Sequence, residues 1–257
     1  MSSNPEPVVL TRVGDVAVLT MSHAPHNLVG KILGRALIEG LREASSSRAI
    51  VLKSSLRHFS AGADLALFEN GGELLHSDLD PLAVLKAFDD VPVPVIASVH
   101  GVALGGGFEL ALASDFIVAS ASSKFGLVEA TLGLHPLMGG IQRVIDRVGL
   151  ARANEIVMLA RRYDAATLEK WGIVNRVVAD AQLEDVTMTL AAELAAGPTV
   201  AHAATKKLAR VFIEQGMRAA DEAMPRLQKA IFASKDLERG LAAFKASGPG
   251  MATFSGN

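Results

Sequence analysis

The spacing of apolar residues predicts strands and helices in alternation over the first half of the chain. Residues 8–20 form two short apolar runs about Gly14-Asp15, a pair typical of a β-hairpin turn. Apolar residues recur at helical spacing over 31–44, and the apolar run 49–53 is typical of a buried strand. This alternation indicates an α/β fold.

A glycine-rich stretch follows the next predicted helix (80–87) and is the most distinctive segment of the chain. Residues 95–114, VIASVHGVALGGGFELALAS, begin as a buried-strand pattern and end at helical spacing. The triplet Gly105–Gly107 permits close backbone approach to a ligand, and a helix start presents unpaired N–H groups. Glu109 lies in the first turn among apolar neighbours. These features together predict a site for an anionic or polarised oxygen.

The second half of the chain changes from this alternation to a mostly helical pattern. Strands are predicted at 114–119 and 123–126, and residues 66–77 are expected to be mobile. Asp164 and Gly172 suit the two ends of one helix. Beyond Gly139 helices are predicted at 141–148, 151–160, 165–171, 183–195, 199–213, 217–232 and 237–244, with one strand-like interlude at 173–178. A helical tail after an α/β core often serves as a lid or an association surface.

Composition narrows the class of protein. The chain has 257 residues, 50% of them apolar, a net charge of −2 and no cysteine. Its length fits one large domain or a domain with a smaller appendage. The charge does not favour nucleic acid, and the lack of cysteine excludes disulfides, thiolate metal sites and cysteine nucleophiles. The start of the chain has no signal-peptide pattern, and the apolar stretch 91–113 is interrupted by prolines, His100 and Glu109. We therefore expect a cytoplasmic protein with neither nucleic-acid nor membrane partners.

Few residues remain as candidates for chemistry. His23 and His26 have no acidic neighbour, and no HExxH motif is present, so a metal site is not expected. The chain has no G-x-S-x-G elbow and no phosphate-binding glycine motif. Glu109 and Glu129 are left, although an acid in a first helical turn also complements the helix dipole, and Glu129 also suits a solvated surface.

Three long blocks carry a family resemblance. FSAGADL (59–65), HGVALGGGFELALASDFIVAS (100–120) and FGLVEATLGLHPLMGGIQR (125–143) resemble the signature blocks of the crotonase superfamily, in the same order and spacing. The tail ASKDLERGLAAFKASGP (233–249) is similar to that family's usual ending. The superfamily includes the enoyl-CoA hydratases and isomerases.

The resemblance implies a fold, an assembly and a reaction. The fold would be a crotonase-like spiral of repeated ββα units over residues 1–195, followed by a helical trimerisation region over 196–257. The assembly would be a homotrimer or a dimer of trimers. The reaction would be hydration of the C2–C3 double bond of a 2-enoyl-CoA to 3-hydroxyacyl-CoA. CoA would be part of the substrate, with no metal and no separate cofactor.

The resemblance also implies roles for individual residues. Glu109 and Glu129 match the two catalytic glutamates that act on water, and both acids together favour hydration over isomerisation. The backbone N–H groups of Ala63 and Gly106 match the oxyanion hole that holds the thioester oxygen. The residues implied to contact substrate are Ala61, Asp64, Leu65, Ala66 and Leu137.

Several positions depart from the family pattern. Val128 replaces a frequent proline, and Leu137 stands within His135–Met138 where small residues are usual. Ala66 replaces a frequent lysine directed at the CoA phosphates. The candidates for that contact are then Lys53, Arg57, Lys206 and Lys207. Isomerisation, thioester hydrolysis, decarboxylation and non-catalytic acyl-CoA binding remain alternatives.

Overall fold

The computed structural model describes residues 6–72 and 80–257, without the side chains of residues 70–72. The strands are β1 (Val8–Val13), β2 (Val16–Met21), β3 (Ala49–Ser54), β4 (Val95–Val99), β5 (Val102–Leu104), β6 (Phe116–Ser120), β7 (Lys124–Gly126), β8 (Tyr163–Asp164) and β9 (Arg176–Val178). The α-helices are α1 (Lys31–Ala44), α2 (Pro81–Asp90), α3 (Gly106–Ala113), α4 (Gly140–Leu159), α5 (Ala165–Trp171), α6 (Leu183–Ala196), α7 (Thr199–Gln215), α8 (Met217–Phe232) and α9 (Lys235–Ser247). Short 3-10 helices are formed by Leu65–Gly72, Glu129–Leu132 and Asp180–Gln182.

A six-stranded sheet forms the centre of the fold, in the order β1-β2-β3-β4-β6-β9. The hairpin β1-β2 is antiparallel and the other pairs are parallel. Parallel strands are normally covered on both faces, and strands β2 to β4 are accordingly buried almost throughout. The expected α/β fold is confirmed.

The two faces of this sheet belong to two apolar cores, because successive side chains of a strand point to opposite sides. Leu19, Ile50 and Leu52 pack in one core with residues of helices α1 to α5. Val18 and Val51 lie in the other core, which helix α6 covers.

A second sheet of three strands, β5-β7-β8, lies beside the first. Strands β5 and β7 are parallel, with Val102 opposite Lys124 and Leu104 opposite Gly126. The pairing continues into the following turn, where the Gly105 N–H donates to the Gly126 carbonyl at 2.8 Å. The two chain segments that leave these strands are thereby held side by side.

Partly buried polar contacts connect the C-terminal helices to the core. The Arg48 guanidinium, just before β3, donates to the Thr199 hydroxyl and to the carbonyls of Gly197 and Phe254. Lys206 of α7 donates to the Asp115 carboxylate and to the Val93 carbonyl. The division into a core (1–195) and a helical oligomerisation region (196–257) stays a prediction.

Most of the predicted elements are present, with differences at their ends. Helix α1 has the predicted bounds, and Asp164 caps α5 by accepting from the Thr167 N–H. The two helices predicted at 141–148 and 151–160 are both present: they lie within the span named α4 and meet at a kink at Gly149, whose φ of +77° is not helical. The strand predicted at 173–178 is limited to β9. Of the segment predicted to be mobile (66–77), residues 73–77 lie outside the described residues. No helix within 6–72 and 80–257 is long and apolar enough to cross a membrane.

Candidate active site

Glycines shape the turn from β5 into α3. Gly105 has φ +47° and ψ −126°, a backbone conformation that side chains disfavour. A Cβ on Gly107 would lie 2.5 Å from the Ser60 Cβ and 2.7 Å from the Ser60 carbonyl oxygen. The glycines therefore let the start of α3 pack directly against the loop that contains residues 60–63.

Two free amide groups meet where this loop faces α3. The loop is held by a bridge to Val29, which donates to Gly62 and accepts from Asp64. The N–H groups of Ala63 and Gly106 donate to no acceptor among the described residues. A Cβ placed on Gly106 would lie 3.6 Å from the Ala63 nitrogen. Two adjacent unpaired donors in a pocket can bind one oxygen that carries negative charge.

Glu109 is the buried acid of the site, with 3% of its surface exposed. Its Oε1 atom accepts hydrogen bonds from the backbone N–H groups of Met138 and Gly140, both at 2.8 Å. Burial raises the pKa of Glu109 to about 7; the Glu129 charge adds to this rise, while the Gly140 and Met138 donors and the Arg143 charge oppose it. The carboxyl can therefore gain and lose a proton near neutral pH.

Glu129 begins the 3-10 helix that follows β7 and faces the glycine turn. A Cβ on Gly105 would lie 3.2 Å from its Oε1 atom. Its Oε2 atom is buried and has no hydrogen-bond partner among the described residues. Burial raises the pKa of Glu129, against the opposing effects of its own backbone N–H and of His135. An unpartnered buried oxygen is available to a substrate, a water or a proton.

The two acids and the two amides line one pocket of about 810 Å³, a volume that includes solvent at its mouth. Its wall is mostly apolar. Of the residues predicted to form the site, those that line the pocket are Ala61, Ala63, Leu65, Gly106, Glu109, Glu129 and Leu137. These residues are far apart in the sequence. The β5-β7 pairing and the hydrogen bonds to Glu109 bring their segments together.

Asp64 and Ala66 do not line this pocket, although both were expected to contact substrate. Both are exposed, and the Asp64 carboxylate accepts the Ala66 N–H at 3.1 Å. Contact with the CoA part of a substrate stays a prediction for these two residues.

The basic candidates for the CoA phosphates separate into bound and exposed side chains. Lys53 pairs with Glu184 at 2.6 Å, and Lys206 pairs with Asp115 at 2.6 Å. Arg57 is exposed. Lys207 is exposed as well. Lys206 is therefore occupied as a tie between α7 and the core, which leaves Arg57 and Lys207 as the more available cations.

Sequence reasoning missed several parts of the site. Val29, Phe68 and Pro81 line the pocket but lie in segments without a recognisable motif. The Met138 and Gly140 amides hold Glu109 through backbone atoms, which leave no side-chain signature. The pair Gly139-Gly140 before a helical pattern was the available signal. Among the described residues, no group of three or more His, Asp or Glu side chains is placed to hold a metal ion.

Comparisons with known proteins agree with this geometry. The family model described as enoyl-CoA hydratase/isomerase matches residues 12–250. A carnitinyl-CoA dehydratase from Salmonella agona is 35% identical over 249 residues, covering 93% of this chain and 95% of the relative.

Solved structures share the whole fold. An enoyl-CoA hydratase subunit I from Geobacillus kaustophilus superposes with a TM-score of 0.91 at 31% identity, covering 98% of each chain. An enoyl-CoA hydratase from Bacillus anthracis gives 0.90 at 27% identity, covering 98% of this chain and 100% of that one. The expected crotonase-like fold with a C-terminal helical region is confirmed. The chain belongs to the enoyl-CoA hydratase/isomerase family.

Proposed function

We propose that this enzyme adds water across the C2–C3 double bond of a 2-enoyl-CoA thioester, and catalyses the reverse dehydration of the 3-hydroxyacyl-CoA. One observation carries the proposal: the buried acid Glu109, the half-buried acid Glu129 and two unpaired backbone N–H groups line the same apolar pocket. The names of the relatives, enoyl-CoA hydratase and carnitinyl-CoA dehydratase, describe reactions of this type.

The amides of Ala63 and Gly106 would hold the thioester oxygen. Addition at C3 places negative charge on that oxygen, as an enolate forms between C1 and C2. Fixed amide dipoles stabilise this charge without reorganising, and the loss of one such donor typically slows a reaction by about 10²–10³-fold. The donors belong to the backbone, so side-chain replacement would act on them only through the chain path.

The two acids would move the protons. Glu109, whose Oε1 atom already accepts two N–H groups, suits the carboxylate that takes a proton from water as the water oxygen bonds to C3. Glu129, whose Oε2 atom is buried and unpartnered among the described residues, suits the carboxyl that gives a proton to C2. Nearby buried acids resist double ionisation, so one shared proton is the favoured state. This chemistry needs neither a metal nor a redox cofactor, and CoA enters as part of the substrate.

Carnitinyl-CoA is the second candidate substrate, because curated relatives at 35% identity carry that name. A carnitinyl group has a quaternary ammonium, which proteins commonly hold with aromatic rings or carboxylates. The described lining offers one aromatic ring, Phe68, and its carboxylates are the two acids assigned to catalysis. An uncharged acyl group therefore fits the described part of the pocket better.

Turnover with defined thioesters tests the proposal. Crotonyl-CoA, longer 2-enoyl-CoAs and carnitinyl-CoA are each mixed with the purified enzyme, and the enoyl-thioester absorbance is followed. We expect loss of this absorbance with the enoyl substrates. The variants Glu109→Gln and Glu129→Gln are each expected to lower kcat by about 10²–10⁴-fold, the usual contribution of a general acid or base. Near-normal turnover in either variant would remove that residue from the mechanism.

Product mass separates the remaining alternatives. Hydration adds the mass of water, isomerisation leaves the mass unchanged, hydrolysis releases free CoA, and decarboxylation releases carbon dioxide. A protein that only binds acyl-CoA would gain thermal stability from the ligand without changing it. No reaction above background at any chain length would refute the hydratase proposal.

The proposed assembly is a homotrimer or a dimer of trimers. Large apolar side chains are exposed on the C-terminal helices, among them Phe212, Met217, Phe232 and Phe244. Contiguous exposed apolar surface is typical of association. Light scattering after size-exclusion chromatography measures the assembly, and a monomer at micromolar concentration would contradict this proposal.

A further inference from the structure

Arg143 contacts the peptide group whose N–H donates a hydrogen bond to Glu109. That peptide joins Gly139 to Gly140, and its N–H donates to the Glu109 carboxyl at 2.8 Å. Its carbonyl oxygen, on Gly139, accepts the Arg143 backbone N–H at 3.2 Å and lies 3.5 Å from the Arg143 Nη1 atom. One peptide group therefore connects the guanidinium with the acid. Hydrogen bonds in such a series polarise one another.

The Arg143 guanidinium also forms an ion pair with a residue outside the pocket lining. Its Nη2 atom lies 3.7 Å from the Asp89 carboxylate, at the end of α2. Arg210 of α7 pairs with the same carboxylate. The Arg143 side chain is 17% exposed and that of Asp89 is 27% exposed, so this pair is screened less than a surface pair. Arg143 is thus held at a defined place between two helices and the turn.

Among the described residues, a small number of charged side chains act on Arg143 and Glu109. Arg143 faces Glu109 of α3, Asp89 of α2 and Asp146 of its own helix, and it repels Arg147. Glu109 faces Arg143, whose charge lowers the pKa of Glu109, and Glu129, whose charge raises it. Among the described residues, Arg143 is therefore a cation that opposes the effect of burial on Glu109, in addition to the N–H groups of Gly140 and Met138.

We propose that Arg143 is a positioning residue for Glu109: it fixes the Gly139–Gly140 peptide that donates to this carboxyl, and it supplies a positive charge that favours the ionised carboxylate. The part about turnover rests on the proposed function, since it takes Glu109 to be an acid–base group. The part about ionisation does not, because the titration of a carboxyl can be measured without substrate.

The experiment measures the titration of Glu109 directly. Protein labelled with ¹³C at the glutamate carboxyl carbons is titrated by NMR, and the Glu109 signal is assigned from its loss in Glu109→Gln. Wild type is compared with Arg143→Gln, which lacks the charge, and Arg143→Lys, which keeps it. Arg152→Gln is the matched control, since Arg152 lies on the same helix and its guanidinium stacks on Trp171, away from the site.

In Arg143→Gln we expect the midpoint of the Glu109 titration to rise by about one pH unit or more, the usual effect of losing a close opposite charge. Arg143→Lys and Arg152→Gln should keep it near the wild-type value. The acidic limb of kcat/KM should move with the midpoint, and Arg143→Lys should restore the limb but not the full kcat. Should Arg143→Gln fail to fold, Arg143→Met, which keeps the aliphatic stem, takes its place.

An unchanged Glu109 midpoint in the uncharged variant would overturn the inference, as would an equal shift in Arg152→Gln. An enzyme that turns over no enoyl-CoA would refute the proposed function, yet the NMR comparison would still decide whether Arg143 sets the ionisation of Glu109. The two failures are therefore distinct.

Discussion

Replacing Glu109 with glutamine is expected to stabilise the folded protein at alkaline pH while it suppresses turnover. Glutamine has nearly the same shape, and its oxygen can still accept the N–H groups of Met138 and Gly140 that now bind Oε1. The substitution removes a carboxyl group that is only 3% exposed. Ionising that group in an apolar pocket costs free energy.

The size and sign of this effect follow from the pKa of Glu109, which burial raises from 4.5 to about 7. Below pH 4.5 the carboxyl is protonated in both the folded and the unfolded chain, so it does not affect the free energy of unfolding. Between pH 4.5 and about 7 the unfolded chain ionises while the folded protein keeps its proton, so stability falls as the pH rises. Above about 7 the carboxyl is ionised in both states, and the loss is complete. The difference corresponds to about 3 kcal/mol at pH well above the folded value.

Denaturant unfolding of wild type and Glu109→Gln, at one protein concentration and at pH 5 and pH 8, measures this difference. We expect the variant to be more stable by about 3 kcal/mol at pH 8, or about 6–12 °C in Tm, and by much less at pH 5. Glu43→Gln, at an exposed position on α1, is the control and should change stability by less than about 0.5 kcal/mol at both pH values. A Glu109→Gln variant no more stable at pH 8 than wild type would refute the reasoning.

Two further predictions concern the shape of the site. Gly107→Ala is expected to destabilise the protein by about 1–3 kcal/mol and to lower kcat, because the new Cβ would lie 2.5 Å from the Ser60 Cβ and force α3 away from the loop. Denaturant unfolding and steady-state kinetics measure the two effects. Wild-type values for both would contradict this prediction. Leu137→Gly is expected to raise kcat/KM for branched or longer enoyl-CoAs relative to crotonyl-CoA, because Leu137 lines the pocket. Steady-state kinetics with a panel of enoyl-CoAs measures this. An unchanged order of kcat/KM among the substrates would show that Leu137 does not limit the size of the acyl group.

The sequence predicts the fold well where packing is regular. The period of Leu33, Leu37 and Leu41 matches the buried face of α1, because one apolar stripe determines which side meets the sheet. The break between the two helical patterns over 140–160 lies at Gly149, where φ is +77° and the backbone is not helical. The two-residue strand β8 has too few residues to show any period.

The sequence indicated the two acids and the free amides of Ala63 and Gly106, which all line the pocket, but not the main-chain groups that hold Glu109. Glu109 and Glu129 were identified from long sequence blocks, and both line the pocket. The donors from Met138 and Gly140 and the hold of Arg143 on Gly139 involve peptide groups, which every sequence possesses. Only the path of the chain decides which peptide groups meet, so the protonation chemistry of Glu109 follows from tertiary structure.

The pairing of β5 with β7 has a consequence for how such an enzyme can diverge. Glu109 follows β5 and Glu129 follows β7, so the ladder from Val102–Lys124 to Leu104–Gly126 sets the spacing of the two acids. A shift of one residue in that ladder would displace one acid by about 3.3 Å and turn its strand over. Main-chain hydrogen bonds between two strands form with most side chains, but they do not tolerate an inserted or deleted residue. Substitutions can therefore accumulate along both strands and exchange the chemistry at their ends, whereas an insertion or deletion between either strand and its acid would separate the two carboxyl groups.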